Sequence, residues 1–223
     1  MLNDGSLPLI LGSRSPQRLE LLSQMIPPSR IKIVVPEEEA EAGFDGRETM
    51  ESILSQLTGI ARTKNEAVRR QLAPGKGKTG SRSITGWSAI LTADTIVIAT
   101  EADARSVVLG KPDGPEWEAK TRSWFLNYYS GKTHRVATAI CVRTPEEMLL
   151  EQCVLTDVTF SPIDSRLLEW YLSTREPLGK AGGYGLQGAA SLFVTAMDGS
   201  PSNVIGLPMR ETWDALLRAG VFS

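Results

Sequence analysis

Short apolar runs alternate along this chain with stretches whose apolar residues recur three or four apart, which predicts strands interleaved with helices. Residues 7–11 read as a short buried strand and Gly12-Ser13-Arg14-Ser15 as a turn. Ser15 is a good N-cap, Pro16 suits the first helical position, and Leu19, Leu22 and Ile26 then recur at i, i+3 and i+7. Pro27-Pro28 ends that helix; residues 31–35 form a second strand, followed by an acidic loop, Glu37-Glu38-Glu39-Ala40-Glu41. The spacing from 48 to 72 is helical, with Leu57, Ala61, Lys64 and Val68 on one face. Lys64 there is either a lysine snorkelling from the edge of the stripe or a functional cation. Residues 73–87, rich in Gly, Ser and Lys, read as a surface insertion.

The next run, AILTADTIVIA at 89–99, is the most apolar of the chain and carries one charge, Asp94. A strand of this kind is covered on both faces, and a carboxylate inside it costs several kcal/mol unless something pairs with it. Beyond it come a turn, a return strand at 107–109 and the punctuation Gly110-Lys111-Pro112-Asp113. A helix is expected at 115–129 with Trp117, Thr121, Trp124, Phe125 and Tyr128 inward. Residues 134–142 and 148–160 form a long hairpin, with Cys141 and Cys153 as small core residues. Ser161-Pro162-Ile163-Asp164 reads as a capping box opening a helix with Leu167, Leu168, Tyr171 and Leu172 inward. A glycine-rich loop at 179–188, a strand at 192–197, the turn Asp198-Gly199-Ser200 and a last helix opened by Pro208 complete the chain. The interleaving shows no domain break and no internal repeat, so a single α/β unit is expected over 1–223.

Composition narrows the chemistry. No apolar run approaches the roughly 20 residues that cross a membrane, and the N-terminus has no basic segment ahead of a long apolar one, so a cytoplasmic location is expected. Two cysteines make no disulfide framework, and one histidine, His134, makes no histidine-built metal site. With a net charge of −2 the chain offers no overall field for nucleic acid, so any anion site is local.

Three lookalike motifs fail on context. Gly77-Lys78-Thr79 and Gly131-Lys132-Thr133 lack the glycine that opens a Walker A loop, Leu72 and Leu126 standing in its place. Gly183-Tyr184-Gly185-Leu186-Gln187-Gly188 matches GxGxxG but neither follows a clear strand nor opens a helix. His134 near Ser130 has no evident triad partners. What survives is a set of polar groups at the ends of apolar elements. Ser13, Arg14, Ser15 and Arg18 sit where a strand enters a helix N-terminus, a place that favours anions. Arg18 there is either a solvated arginine or a partner for bound phosphate. Asp94 with Lys64, Lys111 and Lys180 adds one carboxylate and three cations, a set suited to metal-assisted phosphoanhydride hydrolysis.

Six ordered blocks resemble the Maf family of nucleotide pyrophosphatases. Gly12-Ser13-Arg14-Ser15-Pro16-Gln17-Arg18-Leu19-Glu20-Leu21-Leu22 is similar to its opening A-S-x-S-P-R-R-x-E-L-L. Ala93-Asp94-Thr95-Ile96-Val97 resembles A-D-T-x-V, and Leu109-Gly110-Lys111-Pro112 resembles L-G-K-P. Residues 130–139 look like S-G-x-x-H-x-V-x-T-A, residues 176–188 like E-P-x-D-K-A-G-A-Y-G-I-Q-G, and Asn203-Val204-Ile205-Gly206-Leu207-Pro208 closes the series.

The resemblance implies an elongated α/β protein, with a central mixed sheet flanked by helices and two lobes around a cleft, often as a homodimer. It implies hydrolysis of nucleoside triphosphates to the monophosphate and pyrophosphate with Mg²⁺ or Mn²⁺. Asp94 matches the proposed proton acceptor, and Ser13, Arg18, Lys64, Lys111 and Gln187 match residues lining the cleft. A cleft glutamate is expected in the loop after the second strand, where Glu41 fits best by distance from Pro36 and Glu38 or Glu39 could serve. Asp94 and Glu41 are then the expected metal ligands. Lys180 together with Gln187 resembles members acting on dTTP and UTP, and Thr95 matches a position tied to substrate choice. Two positions depart: Gln17 replaces an arginine, which bears on selectivity, and Gly179 replaces an aspartate before Lys180. These departures favour the competing class, a non-catalytic nucleotide- or nucleic-acid-binding regulator of cell division. An inosine-triphosphate-type pyrophosphatase shares the chemistry but not these motifs.

Overall fold

The computed structural model describes residues 7–37, 43–44, 49–73, 86–101 and 103–222. Glu38, Glu39 and Glu41, and most of the 73–87 stretch, lie outside the described residues.

The apolar run around Asp94 forms β3 (Ala89–Thr100), the strand on which the sheet is built. Parallel to its start lies β1 (Leu9–Leu11), which pairs on its other side with parallel β2 (Ile31–Ile33). The end of β3 pairs antiparallel with β4 (Ser106–Leu109). Along its opposite edge runs antiparallel β5 (Thr133–Arg143), then β6 (Leu149–Phe160) and β7 (Val194–Asp198). The result is a mixed seven-stranded sheet in the order β2-β1-β3-β5-β6-β7, with β4 beside β3.

Alternation along β3 sends its two sets of residues to different cores. Ile96 and Ile98, with Ala137, Ala139 and Cys141 of β5, pack on Ile53, Leu57 and Ala61 of α2 (Met50–Leu72). Helix α2 is long because its stripe is continuous and both ends are satisfied. Thr49 caps it by accepting from the Ser52 N–H, and Arg69 and Arg70 sit in its last turn, where the dipole favours cations. The other face carries two separate cores. Leu91, Ala93, Ile140 and Val142 pack with Leu21 and Leu22 of α1 (Pro16–Ser23) and Leu216 of α6 (Met209–Arg218). Val97, Ala99 and Val136 belong instead to an aromatic core of Phe125, Tyr129, Phe160, Tyr171, Tyr184 and Phe193.

Several expected elements shift for identifiable reasons. The 115–129 helix divides into α3 (Trp117–Trp124) and a π turn at Phe125–Tyr129. The wider turn rotates the following residues, so Tyr129, rather than Tyr128, is fully buried. Ser161 does not cap α4 (Ser165–Ser173), because its backbone extends the sheet edge by donating to the Phe193 carbonyl. Asp164 is the cap, accepting from the N–H groups of Arg166 and Leu167. Helix α1 stops at Ser23, short of Ile26, and the strand expected at 192–197 is displaced to 194–198 by a 3₁₀ turn at Ala189–Phe193. One short helix, α5 (Pro201–Ile205), has no counterpart among the expected elements.

Candidate active site

Strand β3 has no strand partner over Thr92–Ile96 on its β1 edge, because β1 pairing ends at Leu91 and β4 pairing begins at Val97. Asp94 sits in the middle of this gap. A cavity of about 470 Å³ opens there, within the range of small-molecule sites. Ser13, Gln17, Arg18, Lys64, Asp94, Thr95, Lys111, Lys180 and Gln187 all line it. These positions, up to 174 residues apart in the chain (Ser13 to Gln187), therefore meet around one cavity; Glu41 lies outside the described residues.

Asp94 points to the α2 side of the sheet, and Lys64 Nζ of α2 donates to its Oδ1 at 2.7 Å. Both side chains are largely enclosed, 10% and 14% exposed. The stripe of α2 thus carries Lys64 onto the carboxylate rather than out to solvent. Removing either partner would strand the other charge, at a cost of about 3–5 kcal/mol for a fully buried pair.

The β1–α1 turn builds the second wall. Ser15 caps α1, accepting from the Arg18 N–H at 3.3 Å, and its hydroxyl donates to Gln17 Oε1 at 3.0 Å. Arg18 is no solvated surface arginine. Its guanidinium donates to the Gly206 carbonyl at 2.9 Å, to Ser13 Oγ at 3.3 Å and to Thr95 Oγ1 at 3.0 Å. Thr95 in turn meets Thr138 Oγ1 at 3.0 Å, and Thr138 donates to the Asn203 carbonyl at 2.9 Å. Asn203 closes the chain through Nδ2, which donates to the Val136 carbonyl and to Thr156 Oγ1. This polar seam runs between the two cores of that face, since Thr95 and Thr138 stand between Ala93 and Ile140 on one side and Val97 and Val136 on the other.

The third wall is the glycine-rich loop. Its N–H groups at Gly179 and Gly182 donate to the Pro112 and Gly110 carbonyls, which brings Lys180 beside Lys111. Beneath it, Tyr129 Oη donates to the Gly182 carbonyl at 2.8 Å and Tyr171 Oη to the Gly183 carbonyl at 3.0 Å. Gly182 is required by φ +65° and by space, because a Cβ there would lie 2.5 Å from Tyr129 Oη and 2.6 Å from Val97. His134 Nε2 meets Tyr184 Oη at 2.7 Å inside the aromatic core. Burial pushes the His134 pKa down to about 3 and raises those of Tyr129, Tyr171 and Tyr184, so all four are neutral near pH 7. The GxGxxG match ends in a 3₁₀ turn rather than opening an α-helix.

Sequence reasoning missed the seam residues Thr138 and Asn203 and the Gly206 carbonyl. Ser200-Pro201 carries the same cap-and-proline pair as Ser15-Pro16, and it opens α5, which positions Asn203 and Gly206.

Comparison of the sequence with known proteins shows its family. The model of the Maf-like protein family matches residues 8–219. A dTTP/UTP pyrophosphatase of Anaeromyxobacter sp. is 34% identical over 216 residues, covering 95% of this chain and 89% of that protein. One from Thermus thermophilus is 34% identical over 219 residues, covering 98% of each. A solved structure, a nucleoside-triphosphatase / dITP/XTP pyrophosphatase from Mycobacterium abscessus, aligns over 96% of this chain and 94% of its own at 15% identity, with a TM-score of 0.41. With its ordered motifs folded around one cavity and the family model spanning nearly the whole sequence, the chain belongs to the Maf family.

Proposed function

We propose that the chain is a nucleoside triphosphate pyrophosphatase that converts dTTP, UTP or related pyrimidine nucleotides to the monophosphate and pyrophosphate. One observation carries this reading: among the described residues lining the cavity, Asp94 is the sole acid and Arg14, Arg18, Lys64, Lys111 and Lys180 are all cations. Such a site attracts a polyanion and keeps one carboxylate for chemistry. The names of the relatives support the same substrate class.

In this reading Asp94 orients the attacking water and accepts its proton, while Lys64 holds Oδ1 and fixes the carboxylate. The water oxygen bonds to the α-phosphorus, the bond from that phosphorus to the bridging oxygen breaks, and pyrophosphate leaves. Arg18 and Lys111 offset the charge gathered on the phosphate oxygens, and Lys180 contributes to binding them. Thr95 and Gln187 contribute to reading the base, with Gln17, held by Ser15, beside them.

The donor set suits a divalent cation of the Mg²⁺ kind, which is commonly held by one or two carboxylates together with substrate phosphates. Asp94 supplies one such group, and Glu41 is proposed as a second. The ion would polarise phosphate oxygens. A cytoplasmic homodimer using Mg²⁺ or Mn²⁺ is the working form this proposal takes from the family. Purified protein given a panel of nucleoside triphosphates is expected to release pyrophosphate fastest from dTTP and UTP. Tight nucleotide binding with no pyrophosphate from any substrate would instead indicate a non-catalytic regulator.

A further inference from the structure

Glu176 opens the glycine-rich loop from just ahead of Pro177, and its side chain is only 16% exposed. Its Oε2 accepts the backbone N–H of Ala189 at 2.7 Å, at the far end of the loop. Its Oε1 lies 3.3 Å from Nζ of Lys180, at the near end. One carboxylate therefore ties the two ends of the loop together across its mouth.

Two glycines make room for this clasp. A Cβ on Gly188 would collide with the Glu176 carboxylate, and the Lys180 side chain passes 3.3 Å from where a Gly185 Cβ would stand. Lys180, Gly185, Gln187 and Gly188 all face the cavity. The Lys180–Glu176 contact is an ion pair without hydrogen-bond alignment, since Oε1 has no hydrogen-bond partner. The charge thus steers the ammonium group while leaving its N–H bonds for an incoming acceptor. Glu176 thus gives Lys180 an acidic partner four residues upstream.

We infer that Glu176 is a positioning residue for nucleotide binding, holding Lys180 and the lip that bears Gln187 in place before the phosphates arrive. This rests on the nucleotide reading of the cavity. A preset cation adds to binding in ground state and transition state alike, so its loss raises KM and leaves kcat.

The test is a double-mutant cycle on the full-length protein, read by dTTP turnover and by the Kd of α,β-imido-dTTP. Glu176→Gln keeps an oxygen for the Ala189 N–H and removes only the charge. It is expected to raise KM and Kd about fivefold, the scale of a partly screened ion pair, with kcat unchanged. In a Lys180→Met background, itself weaker by about tenfold, the same change is expected to do nothing more. An equal effect in both backgrounds, or an unchanged Kd in the single variant, overturns the role of Glu176. Should Glu176→Gln fail to fold, Glu176→Asp, which withdraws the carboxylate by one methylene, takes its place in the cycle, and either of those two results overturns the role there as well. Wild-type protein that turns over dTTP while the cycle is additive removes only this inference. Wild-type protein that neither binds nor cleaves nucleotide removes the proposed function and this inference together.

Discussion

The two cores on the face of β3 opposite α2 hold their cavity-lining residues by opposite means. The aliphatic core of Leu21, Leu22, Leu91 and Leu216 presents Gln17 and Arg18 on the first turn of a capped helix, with Ser13 in the turn ahead of its cap. The aromatic core presents Lys180 and Gln187 on a loop with no repeating backbone pattern, whose path is held by tyrosine hydroxyls under Gly182 and Gly183 and by Glu176 at its mouth. A helix N-terminus supplies its own donors and direction. A loop has neither, so its shape must be imposed by buried hydroxyls, each of which needs an acceptor. Arg18 spans the difference, reaching from α1 across the seam to the Gly206 carbonyl and Thr95.

Breaking that span should have the largest effect. Arg18→Met strands the Gly206 carbonyl and removes a cation from the cavity, so kcat/KM for dTTP is expected to fall at least about a hundredfold, on the scale of lost charged hydrogen bonds. Steady-state kinetics check this, and a fall under fivefold would show the seam to be dispensable. Next comes the loop. Gly182→Ala forces a Cβ onto Tyr129 Oη and Val97 at a left-handed φ, with an expected loss of roughly 2–4 kcal/mol in urea unfolding. Gly220→Ala, at φ +72° with open space around it, is the control and should cost about 1–2 kcal/mol.

The aromatic core should also be the more pH-sensitive of the two. His134 is neutral when folded, with its pKa lowered from 6.5 to about 3 by burial. Below pH 6.5 the unfolded chain binds a proton that the folded chain refuses. Stability contributed by this group is therefore complete above pH 6.5 and falls with pH toward 3, by up to about 1.4 kcal/mol per unit. The difference in unfolding midpoint between wild type and His134→Gln, followed from pH 7 to pH 4, isolates that slope. Smallest is Ser15→Ala, which removes a cap from α1 and should cost about 1 kcal/mol, measured by thermal unfolding.

The same contrast explains what was legible in the sequence. Ser15-Pro16 announces a helix because eight helical residues follow it. Ser200-Pro201 makes the same statement, but α5 is one turn long and has no apolar period to read. Asp94 stands out because a charge in an apolar strand demands a partner, and α2 delivers Lys64. Thr138 does not stand out, because a threonine suits any strand and only the register opposite Thr95 makes it part of a seam. The π turn that buries Tyr129 breaks the 3.6 period on which the inward face was assigned. The acid that clasps the loop pairs through space with Ala189, thirteen residues on, and no local pattern marks that.

The central proposal is that Asp94 is the catalytic carboxylate of a site whose other charged residues, among the described residues lining the cavity, are cations. Asp94→Asn keeps the shape and an oxygen for Lys64 while removing the base. Pyrophosphate release from dTTP is expected to fall by about 10²–10⁴-fold, with a cooperative unfolding transition kept at lowered stability and α,β-imido-dTTP still bound. Turnover within threefold of wild type would contradict the account.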